Sequence, residues 1–145
     1  MNLLGIDPGV HGAIAVFSTG DRRVSVIDMP DTTAGLHDAI MALPPIALCM
    51  IEKPYYPKII GTANVAKIAM AYGKVISALH FKGIPVTEVR PADWKAALNL
   101  SSAKSASREQ ASLTFPDDAA QWARVKDDGR AEAALLAWYA MGKVK

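Results

Sequence analysis

Apolar and polar positions along this chain follow two rhythms, one suited to strands and one to helices. Apolar runs at residues 3–6 and 13–17 flank Asp7-Pro8-Gly9-Val10-His11-Gly12, a cluster of turn formers, so this stretch predicts strand, tight turn, strand. A third strand is predicted at 24–28, where the pattern alternates after the turn-like Thr19-Gly20-Asp21. Residues 34–43 read as a short helix closed by Pro44-Pro45, because proline cannot continue a helix and restricts the residue before it. The run 46–51 is unbroken and apolar and ends at Glu52, the pattern of a central parallel strand buried on both faces.

From Thr62 to Phe81 the apolar residues Val65, Ile68, Ala69, Tyr72, Val75, Ile76 and Leu79 recur at helical spacing, predicting one long helix before Lys82-Gly83. Residues 84–89 form a fifth candidate strand. Beyond it the pattern is helical: Pro91 suits a first turn continued by 94–98, and Ser105 or Ser107 is placed to cap a helix running to about Phe115. A last helix is expected from about Asp128 to Met141. This order predicts an α/β fold with a five-stranded mixed sheet flanked by helices. With 145 residues, 51% of them hydrophobic, and no repeat or linker, the chain reads as one domain, 1–145.

Charge adds little globally and more locally. The net charge of +2 admits a nucleic-acid partner without demanding one. Residues 82–108, however, carry five basic side chains (Lys82, Arg90, Lys95, Lys104, Arg108) against two acidic ones (Glu88, Asp93). Cys49 stands alone in an apolar run, which makes it a small buried hydrophobe rather than a disulfide or zinc partner. Asp7 arrives too early for a signal peptide and no apolar stretch is long enough to span a bilayer, so a cytoplasmic protein is expected, without membrane contact.

The candidate chemistry lies in the acids. Asp7 ends the first strand and Glu52 the fourth, so their side chains meet if those strands are neighbours. Asp128 and Glu132 are four residues apart and share one helix face; Asp127 competes with Asp128 for the first of these places. Clustered carboxylates repel unless a cation lies among them, and magnesium or manganese favour oxygen ligands. Two such ions about 4 Å apart stabilise both the attacking water and the leaving oxygen of a phosphodiester. Each acid also has a plainer use: Asp7 as a turn cap, Glu52 as a partner of Lys53 or a helix cap, Asp128 as an N-cap, Glu132 as a solvated helix residue.

Leu4-Gly5-Ile6-Asp7-Pro8-Gly9, Ile51-Glu52 and Asp128-Gly129-Arg130-Ala131-Glu132-Ala133, taken in order, resemble the phage-type branch of the RuvC Holliday junction resolvases. The resemblance implies an RNase H-like fold and a structure-selective endodeoxyribonuclease. It implies divalent metal, Mg²⁺ or Mn²⁺ and two ions per site, held by Asp7, Glu52, Asp128 and Glu132. It further implies Lys95 and Lys104 as contacts to the DNA backbone, and Tyr55 as an aromatic at the junction centre. The partner implied is four-way or branched DNA bound by a homodimer, cut by paired nicks that leave 5′-phosphate and 3′-hydroxyl ends. The sequence departs from the bacterial pattern of two acids three residues apart on the last helix, because Gly129 stands three residues before Glu132. Two alternatives share the fold: a YqgF-type nuclease acting on RNA, and a module that binds branched nucleic acid without cutting it.

Overall fold

The computed structural model describes all residues except Lys104 and Lys145. Lys104, one of the two lysines expected to contact DNA, therefore lies outside the described residues. The strands are β1 (Asn2–Asp7), β2 (Ala13–Ser18), β3 (Arg23–Asp28), β4 (Leu48–Glu52) and β5 (Val86–Val89). The helices are α1 (Thr33–Met41), α2 (Thr62–Phe81), α3 (Pro91–Ala97), α4 (Ala106–Thr114) and α5 (Asp128–Ala140). The sheet runs β3-β2-β1-β4-β5, antiparallel through its first three strands and parallel from β1 to β4 to β5. This is the five-stranded mixed sheet that the apolar pattern predicts.

The boundaries that differ do so for local reasons. β5 begins at Val86 rather than Ile84 because Pro85 has no N–H for the ladder, although its carbonyl accepts from Cys49 N at 2.8 Å. Ser105 precedes α4 without a side-chain capping bond, and Ser107 lies inside that helix. Residues 116–127, to which the pattern assigns no element, form two 3₁₀ turns, Pro116–Trp122 and Val125–Asp127. The first covers the outer edge of β3: Val24 N donates to Asp118 Oδ2 (2.9 Å), and Val26 N donates to Gln121 Oε1 (2.8 Å). Edge amides that would otherwise offer a template for another strand are thus occupied by side chains.

Alternate residues of each strand feed two cores. Leu4, Ile6, Ile14, Cys49 and Ile51 pack with Leu36 and Ile40 of α1 and with Val75, Ala78 and Leu79 of α2. Leu3, Ala15, Phe17 and Met50 face Trp94, Phe115, Trp122 and the Ala- and Leu-rich side of α5. Cys49 is fully buried, and burial pushes its thiol pKa up, as expected of an inert core residue. No helix among the described residues is long and apolar enough to cross a membrane.

One contact sets the depth of the second layer. At Gly5 on β1, an added Cβ would stand 2.1 Å from the Ala133 carbonyl oxygen and 2.2 Å from Ala137 N, so α5 rests directly on the strand backbone. Ala131, Ala133, Ala134 and Ala137, all fully buried, keep that approach close. Substituting Gly5→Ala is expected to destabilise the protein by about 3 kcal/mol, at the upper end of overpacking costs. Gly73→Ala in α2, where a Cβ meets nothing, is expected to stabilise it by about 0.5–1 kcal/mol through helix propensity. Urea unfolding of the two variants against wild type checks both signs.

Candidate active site

The parallel pairing of β1 with β4 ends at Ile6↔Ile51, and the next residues, Asp7 and Glu52, are the last of their strands at the carboxyl edge of the sheet, each still paired with its other neighbour, Ala13 and Val89. Asp7 Oδ1 accepts from Gly9 N at 3.1 Å, so the residue does cap its turn while Oδ2 faces α5. Glu52 Oε2 accepts from the indole Nε1–H of Trp94 at 2.6 Å; the ring is fully buried and fixes that carboxylate. Glu132 reaches the same place from α5, its Oε1 accepting from Lys95 Nζ (2.7 Å) and Ser107 Oγ (3.1 Å). Two strands and three helices thus converge on a small volume.

Electrostatics ties these groups together. Burial raises the pKa of Asp7 above the ordinary carboxylate value, the Gly9 hydrogen bond works against the rise, and the charge of Glu132 adds to it. Burial likewise pushes Glu52 up to about 7, with the Trp94 hydrogen bond opposing and the charges of Glu132 and Asp7 adding. For Lys95, burial opposes the charge, and the hydrogen bond to Glu132 with the fields of Glu132, Glu52 and Asp7 outweighs it, so its pKa is raised. The ammonium of Lys95 contacts Glu132 and acts on Asp7 and Glu52 through its field.

The remaining acids of α5 divide sharply. Asp127 is buried, its carboxylate held by the Arg124 backbone N–H (3.1 Å) and guanidinium (3.0 and 2.8 Å), a closure of the turn that leads into the helix. Asp128 is the first residue of α5 and is 37% exposed at its side chain; it lines the cleft with Asp7 and Glu132, and its Oδ1 accepts from Arg108 Nε at 2.8 Å. Position 129 admits no side chain, since a Cβ there would stand 2.3 Å from the His11 carbonyl oxygen and 3.0 Å from Asp7 Oδ2. The turn 8–12 closes over the helix start, so an acid three residues before Glu132 is sterically excluded, and of Asp127 and Asp128, which both line the cleft, Asp128 is the exposed one.

Tyr55, 75% exposed, lies in the loop after β4 and borders a second cleft with Asp7, Gly9, Glu52 and Tyr72. Among the described residues, no group of three acidic, His or Cys side chains is drawn in as closely as a bound ion would hold it. The donor set nonetheless suits a hard divalent cation. It consists of carboxylate oxygens only, two of them in desolvated groups, and one cationic side chain is already drawn in among them. Trp94, Ser107 and Arg108 escaped the sequence reading as site residues. Only Trp94 carried a signal, a buried indole whose N–H needs a partner.

In metal-free protein the Glu52 carboxylate costs stability as it ionises. Its folded pKa of about 7 stands above the ordinary 4.5, so the folded state keeps a proton that the unfolded chain releases between those values. Glu52→Gln retains an acceptor for Trp94. With a chelator present it should therefore match wild type near pH 4.5 and gain up to about 3 kcal/mol above pH 7. Thermal melts across that range check this; a variant less stable than wild type at pH 8 would contradict it.

No protein-family model matches the sequence, and no curated protein matches it at a significant level. Solved structures do. The chain is similar to Thermus thermophilus RuvC in complex with Holliday junction substrate, at 17% identity over 99% of this chain and 96% of that one, with a TM-score of 0.69. A second Thermus thermophilus RuvC structure gives 19% identity, 100% and 99% coverage and a TM-score of 0.63. The yeast mitochondrial Holliday junction resolvase gives 18% identity, 97% and 79% coverage and a TM-score of 0.54. The sheet order, the layering of its helices and this near-complete superposition give the chain the RNase H-like fold of the RuvC-type resolvases.

Proposed function

We propose that this protein is a structure-selective DNA endonuclease that resolves four-way or branched junctions. The observation that carries the reading is the placement of Asp7 and Glu52 at the carboxyl edge of β1 and β4 with Glu132 of α5 beside them, paired to Lys95, in a chain with the RuvC fold. Asp7, Glu52 and Glu132, with Asp128 at the mouth of the cleft, would hold two Mg²⁺ or Mn²⁺ ions. Such ions, when bound, supply a lowered pKa for water and charge stabilisation at the leaving 3′ oxygen.

The protein's own groups prepare the rest. Trp94 fixes the orientation of Glu52 through its 2.6 Å hydrogen bond, and Ser107 does the same for Glu132. The fully buried Trp94 and the wall of α5 keep water from one side of the carboxylates, which strengthens every charge interaction there. Lys95, together with Lys104, positions the backbone phosphate. The exposed ring of Tyr55 offers a stacking surface for an unpaired base at the junction centre.

A four-way junction has two-fold symmetry, so a homodimer places one site on each of two opposed strands, and paired nicks leave 5′-phosphate and 3′-hydroxyl ends. Such an enzyme works in the cytoplasm of a bacterial or phage-infected cell. The test is cleavage of a synthetic mobile junction, a linear duplex and a structured RNA, with Mg²⁺ or Mn²⁺. Paired nicks in the junction alone are expected, with Glu52→Gln slowing them on the order of a thousandfold, the equivalent of about 4 kcal/mol, while still binding. Cleavage of the RNA would assign a YqgF-type activity instead, and junction binding without nicking by wild type would leave a binding module.

A further inference from the structure

Both carboxylates that α5 presents to the cleft are already engaged by cations of this same chain. Lys95, in the last turn of α3, places Nζ 2.7 Å from Glu132 Oε1. Arg108, in the first turns of α4, places Nε 2.8 Å from Asp128 Oδ1. Their side chains are 34% and 20% exposed, so these are partly desolvated pairs rather than loose surface ones. Other ion pairs serve joints of the fold: Arg23 with Asp118 at the β3 edge, Arg124 with Asp127 in the turn before α5, Arg130 with Asp28 between α5 and β3. The acids of the last two pairs, Asp127 and Asp28, also line the cleft with Asp7, but Lys95 and Arg108 hold the two carboxylates that α5 itself presents there.

Desolvated carboxylates in contact need positive charge whether or not a divalent ion is bound. Lys95 supplies it from within the chain. A divalent ion at the same oxygens makes the ammonium redundant and repels it, and the flexible lysine stem lets the charge leave without disturbing α3. The guanidinium of Arg108, once released from Asp128, offers the planar fork that matches a phosphate.

We propose that Lys95 and Arg108 are resident counter-cations that compete with the divalent ion for Glu132 and Asp128 and pass to DNA phosphates when it binds. The proposal rests on the reading of the site as a metal-dependent DNA nuclease, and it adds Arg108 as a positioning residue for the DNA backbone. Metal and DNA then favour one another's binding, because each removes a cost of the other.

Binding of Mn²⁺ alone to the full chain, followed by the electron paramagnetic resonance signal of the free ion, tests it. Wild type, Lys95→Met, Arg108→Gln and Arg90→Ala are compared; Arg90 is 73% exposed and pairs with Asp93 away from the cleft, so it controls for net charge. Lys95→Met keeps an apolar stem beside Trp94. Lys95→Met and Arg108→Gln are each expected to bind Mn²⁺ about tenfold more tightly, the equivalent of about 1.4 kcal/mol, with Arg90→Ala unchanged. Damage to the fold would weaken binding, so tightening is not produced by misfolding. Junction affinity should fall in both variants with calcium present and stay unchanged in chelator.

Mn²⁺ affinity equal to or weaker than that of wild type in both variants overturns the exchange while the metal site stands. Absence of Mn²⁺ binding in every protein overturns the metal site and the exchange together. An equal loss of junction affinity with and without calcium shows fixed DNA contacts and overturns the handover.

Discussion

The contact of α5 with β1 is the constraint on which the site depends. A helix that packs on a sheet through ordinary side chains stands some 10 Å away. Here Gly5 and a run of alanines bring the helix backbone down onto the strand, and Gly129 lets its first turn meet the loop that follows β1. Glu132 and Asp128 therefore approach Asp7 and Glu52 because of residues that have no functional groups of their own. The acids fix what the cleft can bind; the small residues fix that the cleft exists.

Bringing these acids together removes them from water, and the protein meets that cost with its own basic side chains. The raised pKa values of Asp7 and Glu52 express the burial, and the position of Lys95 expresses the compensation. Trp94 serves both roles at once, as one of the two buried tryptophans of one core and as the donor that orients Glu52. Core packing and site chemistry are for that reason inseparable on this face of the sheet.

The fold was legible because its strands are short apolar runs with clear punctuation: Asp7-Pro8-Gly9 after β1, Pro44-Pro45 after α1, Lys82-Gly83 after α2. Asp7, Glu52 and Glu132 were legible because each sits at a position that a strand end or helix face defines. What escaped notice depends on long-range geometry. Ser107 and Arg108 read as ordinary helix residues, and nothing local ties them to acids 25 and 20 residues later. The choice between Asp127 and Asp128 turns on where Arg124 and Arg108 lie in three dimensions. The covering of β3 by Asp118 and Gln121, more than ninety residues away, leaves no periodic trace at all.

That covering has a bearing on how the chain is made. The strands β1 to β3 leave the ribosome first, as an apolar meander whose outer edge is complete only when the segment around Gln121 has also emerged. β4, which lies on the other side of β1, arrives in between. For most of synthesis the nascent sheet therefore carries an open edge, the condition in which edge-to-edge association competes with folding. Closure waits on contacts of large sequence separation, whose loop entropy must be met before the contacts reward it. The same late segment that seals the edge leads directly into α5, so the site is assembled only when the sheet has become safe.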